Sequence, residues 1–312
     1  MRLKNWPLTW FLFHFQHQHP INWETIFNRN APLDVEIGFG TGELLIVLAE
    51  KNPNRNIIGI EKNTERICKT LLAIKKRQQL LSHFSFNNLR ILEIDATLAL
   101  KRLFIPYSIN SVYSLFPCPW PKTAHEKHRL FSNKFLKLLN NRLKNNGMIK
   151  IITDFHPYSR WIKEQAKDCG FSIKSKITSA GYNTKFEQKW RQEGKKIFYE
   201  IRLIKTRHIE QPNMEKVMLR VYQIKEFDAQ KFLLKNKTGE ISVIFKEMIY
   251  DNNRQKALIR TVVSEPEVTQ HFWIAIEKKK KYWHIYKAHG QNIFPTKGIA
   301  LALEMVYNAA KK

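Results

Sequence analysis

Three closely spaced glycines lie where a buried strand breaks into a turn and a helix follows. Gly38, Gly40 and Gly42 come after the apolar stretch 33–37, and apolar residues resume at helical spacing from Glu43. Glycines there allow positive φ and let a ligand approach the main chain closely. A dinucleotide turn of the form G-x-G-x-x-G needs a third glycine where this chain has Glu43. The spacing instead fits S-adenosylmethionine, which has no pyrophosphate; a purely structural turn is the alternative.

Two further strand patterns each end in an acidic residue. Glu61 ends the apolar stretch 56–61, about 20 residues after the glycine turn, where a carboxylate can accept both ribose hydroxyls. Asp95 lies at the end of the stretch 89–96, where it can reach an adenine amino group. One such acid is usually a helix cap. Two in order after a glycine turn favour nucleoside binding.

A proline-rich segment at residues 116–122, the proline loop, follows the predicted fourth strand. Three prolines in five positions make the loop stiff, so that Trp120 can form a wall and Lys122 can contact a phosphate or a base. A purely structural loop is the alternative. Basic residues and histidines open a predicted basic amphipathic helix over 127–143; the first of them are His125, Lys127, His128 and Arg129.

Strand and helix patterns alternate from residue 33 to about 205. This is typical of an α/β fold with a doubly wound, mostly parallel sheet, and the last strand of that region, 195–204, is expected to be antiparallel. We predict an N-terminal arm (1–19), a nucleoside-binding domain (20–206) and a smaller α+β domain (207–312). In the last domain, Lys278–Lys281 and the aromatic residues after it predict a hairpin turn, with an RNA-stacking patch as the alternative.

The composition favours a polyanionic partner. The formal net charge is +26, with 53 basic and 27 acidic residues, and residues 101–150 contain ten Lys or Arg against one acid, Glu126. Nucleic acid is the favoured partner, and an anionic membrane surface is the alternative. No stretch reaches the roughly 20 apolar residues of a transmembrane helix. Three widely spaced cysteines, Cys68, Cys118 and Cys169, predict neither a disulfide framework nor a metal site, and indicate a reducing cytoplasm.

The order of the motifs resembles that of the bacterial tRNA (guanine-N7)-methyltransferase family, over residues 20–205. The motifs that carry the resemblance are the glycine turn, Glu61, Asp95, the loop F-P-C-P-W-P-K, Thr153-Asp154 with Tyr158 and Trp161, and Thr184-Lys185-Phe186-Glu187. The resemblance implies a Rossmann-like class I methyltransferase that transfers a methyl group from S-adenosyl-L-methionine to N7 of a variable-loop guanosine, position 46, in tRNA. The C-terminal region is similar to an extension of some thermophilic members.

The same resemblance implies roles for individual residues. The cofactor would be bound by the turn and three acids: Glu36, Gly38, Gly40, Gly42, Glu61 and Asp95. The guanosine and the tRNA would be bound by Lys122, Asp154, Thr184, Glu187 and the stretch 124–129, which includes His125, Lys127 and Arg129. The catalytic residues would be Asp154, Glu187 and Cys118, which occupies the position of the family's usual aspartate. We expect a monomer or weak homodimer.

The chain departs from the family pattern at two positions. The loop aspartate that the family treats as catalytic is Cys118 here, and the arginine before the loop histidine is Ala124. Guanine N7 carries a lone pair and no proton, so its methylation needs no general base, and positioning and nearby carboxylates supply the help. Cys118 is compatible with reduced activity or a compensated site. The alternative function is a catalytically weak or inactive tRNA-binding relative.

Overall fold

The computed structural model describes residues 7–81, 84–179, 197–212, 217–266 and 268–311. The chain divides into two compact units, Met1–Asn213 and Met214–Lys312. This division lies after the boundary predicted at residue 206, because the next residues pack on the first unit. The Asn140 side-chain amide donates to the Arg207 carbonyl at 2.9 Å, and its oxygen accepts the Ile209 N–H at 2.8 Å.

A seven-stranded sheet forms the centre of the first unit. Its strands are β1 (Leu33–Ile37), β2 (Asn56–Glu61), β3 (Leu89–Glu93), β4 (Ile109–Leu115), β5 (Leu143–Thr153), β6 (Phe171–Thr178) and β7 (Phe198–Lys205). The order is β3-β2-β1-β4-β5-β7-β6, with parallel pairs up to β5 and antiparallel pairs on both sides of β7. Every residue of β1 and β2 is buried, as expected for central parallel strands covered on both faces. The predicted doubly wound, mostly parallel fold is confirmed.

Six α-helices surround this sheet in the part of the first unit that the structure describes. They are α1 (Trp23–Phe27), α2 (Glu43–Lys51), α3 (Thr64–Leu80), α4 (Ala96–Arg102), α5 (Asn133–Arg142) and α6 (His156–Gln165). The predicted basic helix over 127–143 is wrong in its extent. Residues Thr123–His128 form a 3-10 helix, and α5 begins only after Ser132, whose hydroxyl accepts the Phe135 N–H. Asn145, Asn146 and Gly147, which come shortly after the predicted helix, lie inside β5, where the β4–β5 register shifts.

The described part of the N-terminal arm packs against the sheet. Phe11 forms a parallel bridge with Ile91 of β3, and the Leu12 N–H donates to the Ile91 carbonyl at 2.9 Å. Trp10 and Leu12 are buried, and the Trp10 ring meets Phe86 edge-on. Two short 3-10 helices, Leu8–Trp10 and His14–Gln16, complete this stretch. The arm therefore extends the edge of the sheet beside β3.

The described residues of the second unit form an antiparallel sheet and one helix. The strands are β8 (Tyr222–Ile224), β9 (Ser242–Asp251), β10 (Lys256–Glu265), β11 (Val268–Lys279) and β12 (Tyr282–Lys287), in the order β8-β12-β11-β10-β9. Helix α7 (Lys297–Ala310) packs its apolar side, including Ile299 and Leu303, into the core of this unit. The lysine run lies at the predicted hairpin turn, between β11 and β12. Trp283 is buried in the same core, and it therefore does not present a stacking surface.

Among the described residues, no helix is long and apolar enough to cross a bilayer. No group of three or more His, Cys, Asp or Glu side chains in this part of the chain is placed to hold a metal ion.

Candidate active site

A cavity of about 410 Å³ opens where β1 to β4 end, at the carboxyl edge of the parallel sheet. This edge is where open α/β folds bind ligands. Four residues predicted from sequence line the cavity: Gly38, Glu61, Asp95 and Cys118. Trp120 of the proline loop, which was predicted to form a wall, and His128 of the basic segment also line it. The topology thus brings side chains from four separate stretches of sequence to one site.

The glycine turn has the backbone that its sequence predicts. Gly38, Gly40 and Gly42 have φ of +70°, +59° and +81°, in the left-handed region that side chains rarely adopt. A Cβ at Gly38 or Gly40 would have no atom within 4 Å, so open space lies in front of both. A Cβ at Gly42 would lie 2.3 Å from Cγ2 of Thr70. Two glycines therefore face a free volume, while the third permits the close packing of α3.

Glu61 is tied to the main chain around it. One carboxylate oxygen accepts the Gly40 N–H at 3.2 Å, and the other accepts the N–H groups of Lys62 and Asn63 at 2.9 and 3.1 Å. The Arg66 guanidinium lies 3.8 Å from the first oxygen. These bonds fix the carboxylate at the end of β2 and join the glycine turn to it.

Glu36 is buried beneath this edge and lacks a full set of partners. Its side chain is 3% exposed, and within the described residues its Oε2 atom has no hydrogen-bond partner. Burial, followed by the charges of Glu43 and Glu61, raises the pKa of Glu36 well above its usual value. Asp34, two residues earlier on β1, is equally buried but accepts two hydrogen bonds from Arg55 at 2.5 and 2.6 Å. An unpaired buried carboxylate is costly, so Glu36 is suited to a ligand group.

Asp95 is both a helix cap and part of the cavity wall. Its side chain accepts the N–H groups of Thr97 and Leu98 at the start of α4, at 2.9 and 3.3 Å. The residue is also exposed and lines the cavity. The cap and the ligand contact, which are alternatives in the sequence, are therefore compatible in the structure.

The proline loop borders the mouth of the cavity with an unusual backbone. Phe116 and Trp120 have φ of +54° and +44°, values that are unfavourable for bulky residues. Cys118, between them, is an exposed free thiol on the cavity wall. The Trp120 ring packs near the imidazoles of His125 and His128, with centroids 5.8 and 5.2 Å away.

The structure corrects the position expected for Arg129. Its side chain is 4% exposed, and its guanidinium donates to the carbonyls of Pro119 and Trp120 at 2.8 and 3.2 Å. A third contact is an ion pair with Glu126 at 2.9 Å. These partners lie in the proline loop and in the 3-10 helix, and they enclose the guanidinium. Arg129 therefore lies inside the protein rather than on a phosphate-binding surface.

The other predicted substrate residues are less closely grouped. Lys122, His125 and Lys127 are exposed along the loop and the 3-10 helix. Asp154 follows directly after β5 and is partly exposed, outside the cavity lining. Thr184 and Glu187 lie outside the described residues.

Sequence reasoning missed three residues at the site. Lys62 and Arg66 line the cavity directly after Glu61, and the buried Thr70 donates to the Gly40 carbonyl at 3.3 Å. The sequence offered a usable signal for both basic residues, because Lys62 lies in the connection after β2 and Arg66 lies in the first turn of α3, at the carboxyl edge of the sheet. No local pattern indicates Thr70, since the two residues of this contact are 30 positions apart in the sequence.

A larger cavity, about 500 Å³, lies at the opposite edge of the sheet. It is lined by Leu33 and Asn56, the first residues of β1 and β2, and by Tyr107 and Lys144. Size alone does not make it the site, because Gly38 of the glycine turn and the strand-end acids Glu61 and Asp95 line the smaller cavity.

Comparison with known proteins gives this geometry a family. Residues 30–200, more than half of the chain, match the model of the family described as "Putative methyltransferase". A tRNA (guanine-N(7)-)-methyltransferase of Chlorobium phaeobacteroides is 43% identical over 189 residues, which cover 60% of this chain and 89% of that protein. The chain belongs to the tRNA (guanine-N(7)-)-methyltransferase family.

The family relatives differ in how much of this chain they match. The tRNA (guanine-N(7)-)-methyltransferase of Thermotoga maritima is 26% identical over 305 residues, covering 92% of both chains. The similarity to a thermophilic extension, predicted from sequence, is thereby confirmed. Among solved structures, the 16S rRNA methyltransferase KamB covers 59% of this chain and 92% of its own, with a TM-score of 0.46 and 13% identity.

Proposed function

We propose that this methyltransferase transfers a methyl group from S-adenosyl-L-methionine to N7 of a guanosine in tRNA, in the variable loop at position 46. The observation that carries the proposal is the cavity at the carboxyl edge, with an unpaired buried Glu36 beneath it and the proline loop at its mouth. The names of the relatives support N7 of guanine as the acceptor and tRNA as the substrate. The net charge of +26 supports a polyanionic substrate.

The residues present fit the cofactor. Gly38 and Gly40 leave open space at the main chain, and Glu61 holds a fixed carboxylate one strand away. Asp95 lines the same cavity, and Glu36 offers an acceptor that lacks a partner within the described residues. Bound S-adenosyl-L-methionine supplies an electrophilic methyl group on a sulfonium. We assign these residues to holding it.

The chain needs no proton acceptor for this reaction. Guanine N7 attacks with its own lone pair, and positive charge develops on the purine, so the protein acts by orienting the base and by favouring that charge. We assign orientation to the proline loop with Trp120, and the favourable charge to Asp154 and Glu187. Cys118 lies on the cavity wall, at the position where the family has a carboxylate.

We also propose the tRNA contacts, the cellular compartment and the oligomeric state of this protein. Lys122, His125 and Lys127 are exposed beside the cavity and are assigned to the tRNA backbone. The cysteines, none of which is paired, support a reducing cytoplasm. A monomer or weak homodimer remains our prediction.

The test of the cofactor site uses two carboxylates that face each other in the sheet register. Glu61 pairs with Glu93, whose carboxylate instead accepts a bond from Thr64. Glu61→Ala should weaken S-adenosyl-L-methionine binding in calorimetry by about 1–3 kcal/mol, the cost of lost charged hydrogen bonds. Glu93→Gln, the control, should bind as the parent does. Equal affinity of Glu61→Ala and parent would contradict this site.

The test of the reaction is product analysis. Pure protein, labelled cofactor and unmodified tRNA should give N7-methylguanosine after digestion to nucleosides. Tight tRNA binding with cofactor bound but without any turnover would instead identify a non-catalytic relative.

A further inference from the structure

The backbone of the proline loop needs an external restraint. Phe116 and Trp120 both have positive φ, a conformation that bulky side chains adopt only when surrounding contacts impose it. The loop is anchored at its start, where the Phe116 N–H donates to the Ile152 carbonyl at 2.7 Å. Its middle carries Cys118 and Trp120 along the cavity wall. The contacts that hold this middle part therefore determine the positions of these two side chains.

The Arg129 guanidinium supplies this restraint. Its Nε donates to the Pro119 carbonyl at 2.8 Å and its Nη2 to the Trp120 carbonyl at 3.2 Å, so one rigid group spans two consecutive peptide units. Its Nη1 lies 2.9 Å from Glu126. This ion pair gives a structural reason for the single acid within an otherwise basic stretch.

The same guanidinium is fixed from behind by helix α6. Its central carbon lies 5.5 Å from the Tyr158 ring centre and 5.2 Å from that of Trp161, one helical turn apart. Tyr158 is fully buried, and the Arg129 side chain is 4% exposed. A guanidinium enclosed in this way is not available to an RNA phosphate.

We infer that Arg129 is a positioning residue for methyl transfer: it locks the proline loop to α6 and so sets the placement of Cys118 and Trp120 against the bound guanosine. This inference rests on the proposed function for its catalytic consequence, but the loop-locking contact is independent of it. Lys127, two residues earlier and exposed, is the side chain in this segment suited to the RNA backbone.

Thiol chemistry at Cys118 measures the lock directly. In a Cys68→Ser background, Cys118 is the exposed thiol, because Cys169 is buried. Arg129→Lys keeps the charge but cannot span two carbonyls. We expect the rate of Cys118 alkylation by a maleimide to change by about threefold or more, and kcat at saturating tRNA and cofactor to fall roughly 10- to 100-fold, as for a misplaced reacting geometry. The KM for tRNA should stay close to that of the parent.

A matched control separates positioning from stability. Arg55 holds Asp34 with two hydrogen bonds at the opposite edge of the sheet, so Arg55→Lys removes a comparable arginine contact without touching the loop. It should lower the melting temperature and leave both the alkylation rate and kcat unchanged. If Arg129→Lys does not fold, Glu126→Gln, which keeps the arginine and removes the ion pair, should shift alkylation and kcat in the same direction by less.

Three results would overturn the inference. One is a raised KM for tRNA in Arg129→Lys with kcat unchanged, which is the behaviour of a residue that contacts the RNA directly. The second is an equal loss of kcat in Arg55→Lys, which is the behaviour of general destabilisation. The third is an alkylation rate in Arg129→Lys that equals the parent rate. Absence of methyl transfer by the parent protein, with alkylation still altered in Arg129→Lys, would instead refute the proposed function and support the loop lock.

Discussion

Glu36 and Glu61 lie on neighbouring parallel strands, but the Glu61 carboxylate is hydrogen-bonded to the main chain and the Glu36 carboxylate is not fully paired. Glu61 accepts three main-chain N–H groups at the end of β2, whereas Glu36 on β1 is buried with an oxygen that has no partner within the described residues. The charge of Glu61 is one of the causes that raise the pKa of Glu36. The paired carboxylate is hydrogen-bonded to the glycine turn, and we propose that the unpaired one binds a ligand group, at a cost in stability to the ligand-free protein.

This cost predicts a specific pH dependence of the ligand-free protein. The pKa of Glu36 is raised on folding from its usual 4.5, so its contribution favours folding below that value and is lost as pH rises towards the folded pKa. Glu36→Gln removes this loss. Between pH 5 and 8, the melting temperature of the variant should therefore rise relative to the parent, by roughly 2–4 °C for each kcal/mol regained.

The control for Glu36→Gln is an exposed carboxylate, Glu24→Gln, which should follow the parent curve. Scanning calorimetry without cofactor measures the difference, and titration calorimetry should show weaker cofactor binding by Glu36→Gln. Parallel melting curves of Glu36→Gln and parent across this pH range would contradict the account of Glu36.

The glycine turn predicts two different defects from the same substitution. Gly40→Ala adds a Cβ into open space, so it should cost only the left-handed backbone strain, about 1–2 kcal/mol, and should weaken cofactor binding. Gly42→Ala places its Cβ 2.3 Å from Thr70 Cγ2, so it should add an overpacking cost of about 1–3 kcal/mol. Urea unfolding and calorimetry separate the two effects.

Thr70→Ser tests the packing explanation for Gly42. It removes the methyl group that a Cβ at Gly42 would meet and keeps the hydroxyl that donates to Gly40. The double variant should regain part of the stability lost in Gly42→Ala. If Gly42→Ala and Gly40→Ala are equally stable, the contact with Thr70 has no energetic role.

The exposed lysines of the loop region predict the salt dependence of tRNA binding. Replacing Lys122 and Lys127 together by alanine should lower the slope of log K against log salt by about one unit for each lost phosphate contact. Lys51 is exposed at the far end of α2, so Lys51→Ala is the matched control and should keep the parent slope. A slope that is unchanged in the double variant would place the tRNA on another surface.

Cys118 offers the substitution most informative about catalysis. Because this residue is exposed on the cavity wall, Cys118→Asp should be tolerated without burying a charge, and it restores the carboxylate of the family pattern. We expect kcat to rise, by about tenfold for each 1.4 kcal/mol of added transition-state stabilisation. Lower activity in Cys118→Asp would mean that the site is built around the thiol; Cys118→Ser is the control for size.

The sequence predicted the sheet and the strand-end site because both follow from local patterns. Buried strands of five or six mostly apolar residues, a glycine turn and acids at strand ends are visible without tertiary information, and Glu61 and Asp95 lie where their strands place them. Glu36 was assigned from the resemblance alone, since its isolation depends on what surrounds β1.

The errors arose where tertiary contacts decide. The amphipathic pattern of 127–143 covers part of a 3-10 helix, a turn and α5, because Arg129 and Phe131 are also buried although they do not lie on one helix face. A basic residue in a basic stretch predicts a surface position. The burial of Arg129 required two free carbonyls about ten residues earlier and two aromatic rings on α6, and no local pattern indicates these partners.

The central claim is that this chain methylates N7 of one guanosine in tRNA. The most direct measurement maps the modified base: an unmodified tRNA transcript is incubated with the full chain and S-adenosyl-L-methionine, then cleaved chemically at N7-methylguanosine and read at single-nucleotide resolution. We expect cleavage at the variable-loop guanosine, position 46, which depends on cofactor and is reduced in Glu61→Ala when the cofactor is below saturation. Methyl transfer without this cleavage, or cleavage spread over many guanosines, would contradict it.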